Sequence, residues 1–182
     1  MDFITQLDGA VLLWIQEYIR RDFLNPIITI ITSLADSGWF WILLSAALLF
    51  FKKYRKIGLT ALIALIIGFL ITNLWLKNMV MRIRPYEVIE GLTLIGSKAR
   101  DFSFPSGHST ASIAASAVFL VCMPKKFGIP TFILGIFICF TRLYIGIHYP
   151  TDVLAGILIG FVAAFAAVWI MKRKNLSCDE VT

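Results

Sequence analysis

Apolar residues in this chain come in long runs separated by short polar breaks, and the breaks mark the elements. Within residues 3–19, Phe3, Ile4, Leu7, Val11, Trp14, Ile15 and Tyr18 fall near one helical face, while Asp8, Gln16, Glu17 and Arg20 interrupt the run. This predicts an amphipathic helix lying at a membrane interface. Asn25-Pro26 is a breaker, and Pro26 can open a second short helix to about Leu34. Asp36-Ser37-Gly38 is the next break. The runs 39–51, 57–76, 109–123, 127–147 and 151–171 then predict five spanning helices. A span needs about 20 mostly apolar residues, so 39–51 must tilt, thin the bilayer or borrow from its flanks. If 26–34 also crosses, the count is six. The expected fold is therefore all-α: a polytopic transmembrane bundle of five or six spans with an N-terminal amphipathic helix. It forms a single domain over 1–182, with interfacial helices in 1–37, the bundle in 38–172 and a tail in 173–182. The only sizeable non-apolar loop is 85–105, and the chain has no internal repeat or low-complexity tract.

Composition supports the lipid setting. The chain is 59% hydrophobic and 15% charged, with a mean hydropathy of +0.83. Soluble domains carry about 25% charged residues, so the apolar excess needs a second apolar solvent. The net charge of +6 does not point to nucleic acid, because the cations form short clusters between apolar runs. Lys52, Lys53, Arg55 and Lys56 form one cluster, Lys125 and Lys126 another, and Lys172, Arg173 and Lys174 a third. Alternating crossings put all three on one side, the cytoplasmic one. Lys77, Arg82, Arg84, the 85–105 loop, His108, His148 and Asp152 then share the extracytoplasmic side of a cell-membrane protein. Asp2 and Asp8 stand where a cleaved signal peptide would be basic, so none is expected. Cys122, Cys139 and Cys178 lack ligand spacing and are expected as free thiols. Gly156 and Gly160 have GxxxG spacing, which fits either a helix-packing contact or ordinary small residues in a membrane helix.

The chain has only two histidines, His108 and His148, both at span ends on the same side. Lys77 and Arg84 are seven apart, so on a continuing helix they share a face, and Pro85 then stops that helix. They either snorkel to headgroups or aim together at one anion. In Pro105-Ser106-Gly107-His108, Ser106 is a plausible N-cap and Gly107 lets an anion approach the backbone. The segment alone reads as a plain helix cap, though helix-start N–H groups also form an anion site. The run 127–141 is too short to span, so its helix continues past Arg142. A charge there costs about 2.5–3.5 kcal/mol on insertion scales and is by default a functional residue. Pro150 restarts the chain with Asp152 in the first turn, favoured by the helix dipole. His148 and Asp152, four apart, can meet in a tight turn. The carboxylate then fixes the tautomer and leaves the other ring nitrogen free to attack. Cations, a helix start and two histidines, without a cluster of metal ligands, fit phosphoryl transfer.

These segments resemble the type 2 phosphatidic acid phosphatase family, whose site is similar to that of vanadium haloperoxidases. The family signature reads Lys-x6-Arg-Pro, Pro-Ser-Gly-His and Ser-Arg-x5-His-x3-Asp. Here it is Lys77-x6-Arg84-Pro85, Pro105-Ser106-Gly107-His108 and Thr141-Arg142-x5-His148-x3-Asp152, with Thr141 as the one departure. Three motifs in order are far more specific than any one of them. The resemblance implies that His148 is the nucleophile forming a phosphohistidine, oriented by Asp152, and that His108 protonates the leaving oxygen. Lys77, Arg84, Arg142, Ser106 and the Gly107 backbone hold the phosphoryl oxygens, with no metal and no cofactor. Arg82 is left as a headgroup or solvent contact. The implied substrate is a lipid phosphate or diphosphate of the undecaprenyl diphosphate, phosphatidylglycerophosphate or phosphatidic acid type. The expected partners are the membrane and that lipid, with no nucleic acid and no obligate protein. Two alternatives stay open: a lipid phosphotransferase, and a non-catalytic lipid-binding or transport protein with buried cations and broken helices.

Overall fold

The computed structural model describes residues 3–174 and Leu176, and every regular element among them is helical. The expected tail at 173–182 lies outside the described residues apart from Arg173, Lys174 and Leu176. Helix α1 (Phe3–Trp14) runs into a wider π-type turn at Ile15–Ile19. Helices α2 (Asn25–Ser33) and α3 (Trp39–Leu49) flank a 41° bend. Ser37 and Gly38 make that bend with φ of 50° and 69°. Helix α4 (Arg55–Phe69) continues through a π-type stretch at Leu70–Leu76 into the short α5 (Lys77–Val80). The remaining helices are α6 (Pro85–Val88), α7 (Gly107–Cys122), α8 (Lys125–Tyr144) and α9 (Pro150–Arg173).

The helical stretch from Arg55, α8 and α9 are each long and apolar enough to cross a membrane, and the bent pair α2–α3 makes a fourth if its two halves are taken as one span. Helix α7 has 16 residues, about 24 Å at 1.5 Å per residue, less than a hydrocarbon core of about 30 Å. It is the central helix, packed on α4, α8 and α9, and eleven of its sixteen residues are buried. Its neighbours meet the outside, so its hydroxyls can point inward. The Ser112 hydroxyl accepts from Trp41 Nε1 at 3.0 Å, and Thr110 pairs with Thr72 at 2.9 Å.

The outer surface is apolar. Leu43, Ile66, Phe69, Trp75, Ile133, Leu158 and Phe165 are all exposed. Helix α1 follows the same inversion, with Phe3, Leu7, Val11 and Trp14 exposed while Asp8, Gly9 and Leu12 are buried. Gly156 and Gly160 prove to be packing positions. A methyl at Gly156 would lie 2.6 Å from the Ser106 carbonyl, and one at Gly160 would lie 2.7 Å from Ile113 Cβ. Only a missing side chain lets α9 come this close to the start of α7.

Two expectations are corrected. The helix carrying Lys77 does not continue to Pro85. It ends at Val80, Met81 takes a left-handed φ of 47°, and the chain leaves helical structure until Arg84, itself extended, leads into Pro85 and α6. Cys139 is a buried free thiol as expected, but Cys122 is disulfide-bonded rather than free. Cys178 lies outside the described residues.

Candidate active site

The ends of α4/α5 and α8 and the starts of α7 and α9 converge on one cluster. Lys77, Arg84, Arg142, His148 and Asp152 are all buried there. Lys77 arrives on a helix, whereas Arg84 arrives on the extended turn after Met81. Both bind Asp101: Lys77 Nζ pairs with its Oδ2, and Arg84 Nη2 donates to its Oδ1 at 2.6 Å. Arg84 also donates to the Ile147 carbonyl at 2.9 Å, which ties it to the loop bearing His148. Arg142 sits in the last turn of α8, as its position predicted, and donates to Thr32 Oγ1 at 2.6 Å. Its Nε is buried without a hydrogen-bond partner among the described residues. A buried, unmatched guanidinium donor is costly unless something anionic takes it.

The tautomer of His148 follows from its neighbours. Arg84 Nη1 can only donate, and it lies 3.0 Å from His148 Nε2 and 3.5 Å from Nδ1; the shorter contact fits the tautomer in which Nε2 offers its lone pair and Nδ1 carries the proton. Nδ1 faces Asp152 Oδ2 at 3.5 Å. Burial pushes His148 well below the ordinary histidine value, and Arg84 and Arg142 push it the same way. A carboxylate neighbour such as Asp152 would favour the proton, but burial and the cations prevail.

Asp152 is fully buried and fully engaged. As the third residue of α9, its Oδ2 reaches back to the Tyr149 N–H at 2.9 Å and also accepts from Ser103 Oγ. Its Oδ1 accepts from Arg82 Nη1 at 2.7 Å. This corrects the reading of Arg82 as a headgroup or solvent contact. It pairs with two carboxylates, Asp152 and Asp8, and stacks 3.7 Å over the Tyr149 ring.

His108 stands in the first turn of α7, with Nε2 2.8 Å from Asp36 Oδ1. Ser106 is the N-cap, and its Oγ accepts from Ser109 Oγ at 3.0 Å and from Ser109 N at 3.4 Å. Its own N–H donates to the Asp152 carbonyl at 3.1 Å, joining the two histidine segments. A side chain on Gly107 would approach Asn73 Oδ1 at 3.3 Å and Lys77 Nζ at 3.9 Å. The structure thus gathers every expected site residue into one place. Asp8, Asp36, Asp101 and Ser103 join it without having been assigned a site role by the sequence, and so does Arg82, read there as a headgroup or solvent contact. Asp8 and Asp36 are the acids that interrupt apolar N-terminal sequence, and that interruption was the available signal.

A cavity of about 760 Å³ opens beside the cluster. Its polar end is lined by Asp36, Lys77, Asp101, Gly107 and His108, and its apolar wall by Ile42, Leu62, Leu65, Ile66 and Phe69. No cluster of three or more His, Cys, Asp or Glu fit to hold a metal occurs among the described residues.

With that geometry in hand, similarity to known proteins can be placed. The PAP2 superfamily profile matches residues 57–176. An undecaprenyl-diphosphatase of Sulfolobus acidocaldarius is 34% identical over 130 residues, covering 71% of this chain and 63% of that protein. Undecaprenyl-diphosphatase BcrC of Bacillus subtilis is 34% identical over 146 residues, covering 78% of this chain and 72% of that one. The crystal structure of a transmembrane PAP2-type phosphatidylglycerolphosphate phosphatase from Bacillus subtilis superposes with a TM-score of 0.75. That match has 25% identity and covers 95% of this chain and 88% of the other. By sequence and by fold, then, this multi-pass helical membrane protein belongs to the PAP2 superfamily.

Proposed function

We propose that this protein is a membrane phosphatase that removes a phosphoryl group from a lipid phosphate or diphosphate through a phosphohistidine at His148. One juxtaposition carries the reading: a buried neutral histidine facing three cations, beside a cavity with an apolar wall. That wall suits the hydrocarbon chain of a lipid, and the polar end suits its phosphate. His148 Nε2 attacks phosphorus and forms the P–N bond. The P–O bond to the lipid breaks, and His108 gives its proton to the departing oxygen. Water then attacks the phosphohistidine, His108 takes its proton, and the P–N bond breaks to release phosphate. Lys77, Arg84 and Arg142 carry the charge of the equatorial oxygens throughout, so no divalent ion is needed.

The bent α2–α3 pair, the helix from Arg55, α7, α8 and α9 would make five crossings, with α1 lying in the outer interface on its exposed apolar face. The basic clusters then lie in the cytoplasm and the site faces outward. Lys98→Cys and Lys125→Cys, each in a background without native cysteines, test this on intact cells with an impermeant thiol reagent. Labelling at 98 and protection at 125 is expected, and the reverse inverts the topology.

The decisive assay is phosphate release by detergent-purified protein from undecaprenyl diphosphate, phosphatidylglycerophosphate and phosphatidic acid, with and without EDTA. Release insensitive to EDTA is expected. Activity restored only by added divalent ion, or none on any lipid phosphate, would overturn the reading.

A further inference from the structure

Two buried carboxylates, Asp8 of α1 and Asp152 of α9, lie on either side of a single guanidinium. Arg82 Nη2 donates to Asp8 Oδ2 at 2.8 Å and Nη1 to Asp152 Oδ1 at 2.7 Å. Nη1 also donates to Thr151 Oγ1 at 2.7 Å. Asp8 in turn accepts from the Thr151 N–H at 3.1 Å and from the Thr151 hydroxyl. The Arg82 side chain is 18% exposed and lies flat on Tyr149. Both arms of its fork are taken up by the two acids. It is also on the far side of Asp152 from the nucleophile: Arg82 takes Oδ1, while Oδ2 serves His148, Ser103 and the Tyr149 N–H.

The geometry points to Arg82, anchored by Asp8, as the positioning residue that keeps Asp152 turned toward His148. The inference rests on the reading of His148 and Asp152 above. A carboxylate as deeply buried as Asp152 needs a cation and hydrogen bonds to compensate its burial and fix its rotamer. Arg84 is committed to Asp101, so Arg82 is the Lys or Arg cation in ion-pair contact with Asp152 among the described residues. A rotated Asp152 no longer fixes the His148 Nδ1 proton, and Nε2 loses the lone pair it attacks with. Asp8 neutralises the other half of the fork and pins it through Thr151, so α1 becomes a working part of the site. The planar fork is what allows one cation to hold two acids at once.

The test uses purified full-length protein and steady-state kinetics on a lipid phosphate that the wild type cleaves. Arg82→Gln should lower kcat by about 10–100-fold, the usual cost of losing a group that orients a functional histidine, with KM within about twofold. Arg82→Lys should recover part of that loss, and Asp8→Asn should reduce kcat by about tenfold. Asp152→Asn should reduce kcat by about 10²–10⁴-fold. Because Arg82 acts through Asp152, Arg82→Gln with Asp152→Asn should be no slower than Asp152→Asn alone, within about threefold. Thermal melting in detergent tells lost fold from lost orientation. If Arg82→Gln does not fold, Arg82→Lys and Asp8→Asn carry the test, again expected to lower kcat and spare KM. Multiplicative losses in the double variant, or loss in KM alone, would overturn the positioning role. If Asp152→Asn is severe while the Arg82 and Asp8 variants are silent, only this inference falls. If Asp152→Asn is itself silent, the site reading falls with it.

Discussion

The two histidines sit in opposite kinds of surroundings. At the His148 end the histidine and its carboxylate side chains are 3% and 0% exposed, and both Asp152 oxygens are fully bonded. At the His108 end the same pairing joins an 18% exposed histidine to a 61% exposed Asp36, on the wall of the open cavity. The sequence spacing does not announce this difference, yet it follows from the chemistry. A nucleophile must be held in one tautomer before substrate arrives, which buried and saturated partners accomplish. A group that hands a proton to a departing lipid oxygen must be reachable by that lipid. Asp36 sits at the α2–α3 bend, which borders the cavity, a placement that suits the proposed role of His108.

The largest effect should come from the rigid end. His148→Ala should abolish lipid phosphate release, by about 10⁶-fold as for other lost nucleophiles. It should leave the fold intact, as judged by the melting temperature, because the imidazole has no neighbour that depends on it for charge. Turnover near the wild-type rate would remove His148 from the nucleophile role. His108→Ala should cost less, about 10²–10⁴-fold on a lipid monophosphate. The loss should shrink on a substrate with an acidic leaving group, which departs without a proton. Equal losses on both substrates would leave His108 without an acid role, and the two ends would no longer differ as described.

Much of this was legible in the sequence because it is local. Pro150 sets a helix start, so Asp152 must fall in its first turn, and a four-residue spacing brings it to His148. Arg142 was placed below the surface by span length alone. What escaped depends on long-range closure. Asp8 lies 74 positions from Arg82 and 143 from Thr151, and no periodicity links them. The path from Lys77 to Arg84 was misjudged because a left-handed residue at Met81, which ends the helix early, carries no glycine to signal it. The sequence predicts helix α1 as an amphipathic interfacial helix. Its polar residue Asp8, however, faces protein rather than water, because in a lipid setting the charge has to go inside.

The comparison also makes a prediction about pH. Burial and the cations lower the proton affinity of His148, so it is neutral over a wider range than a free histidine. The acid limb of kcat/KM should therefore lie below the ordinary histidine value of 6.5. Activity should fall as pH drops through that limb, since protonation removes the attacking lone pair. The profile should be bell-shaped, with limbs that belong to the coupled pair. An acid limb above 6.5 on a well-cleaved lipid would show that Asp152 outweighs the cations.

The smallest expected effect concerns Asp101, which lies between the two ends. Its carboxylate bridges Lys77 and Arg84, two of the cations assigned to the phosphate. Burial raises its proton affinity, but Lys77 and Arg84 outweigh that and hold it below the usual carboxylate range. It therefore stays charged at neutral and mildly acidic pH, and on the proposed reading it competes with the substrate for the same two cations. An incoming phosphate would then displace it, and Asp101 is free to swing away because its side chain is 51% exposed. Asp101→Asn removes the competing charge but keeps the shape. KM for a lipid phosphate and the inhibition constant of inorganic phosphate should both fall, by about 3–10-fold for a contact of roughly 1 kcal/mol. The value of kcat should change by less than about twofold, since Asp101 leaves before the chemistry begins. The melting temperature should fall slightly, because two buried cations lose their shared counter-charge. A KM that rises, with phosphate binding weakened in parallel, would mean that Asp101 builds the phosphate cradle rather than occupying it.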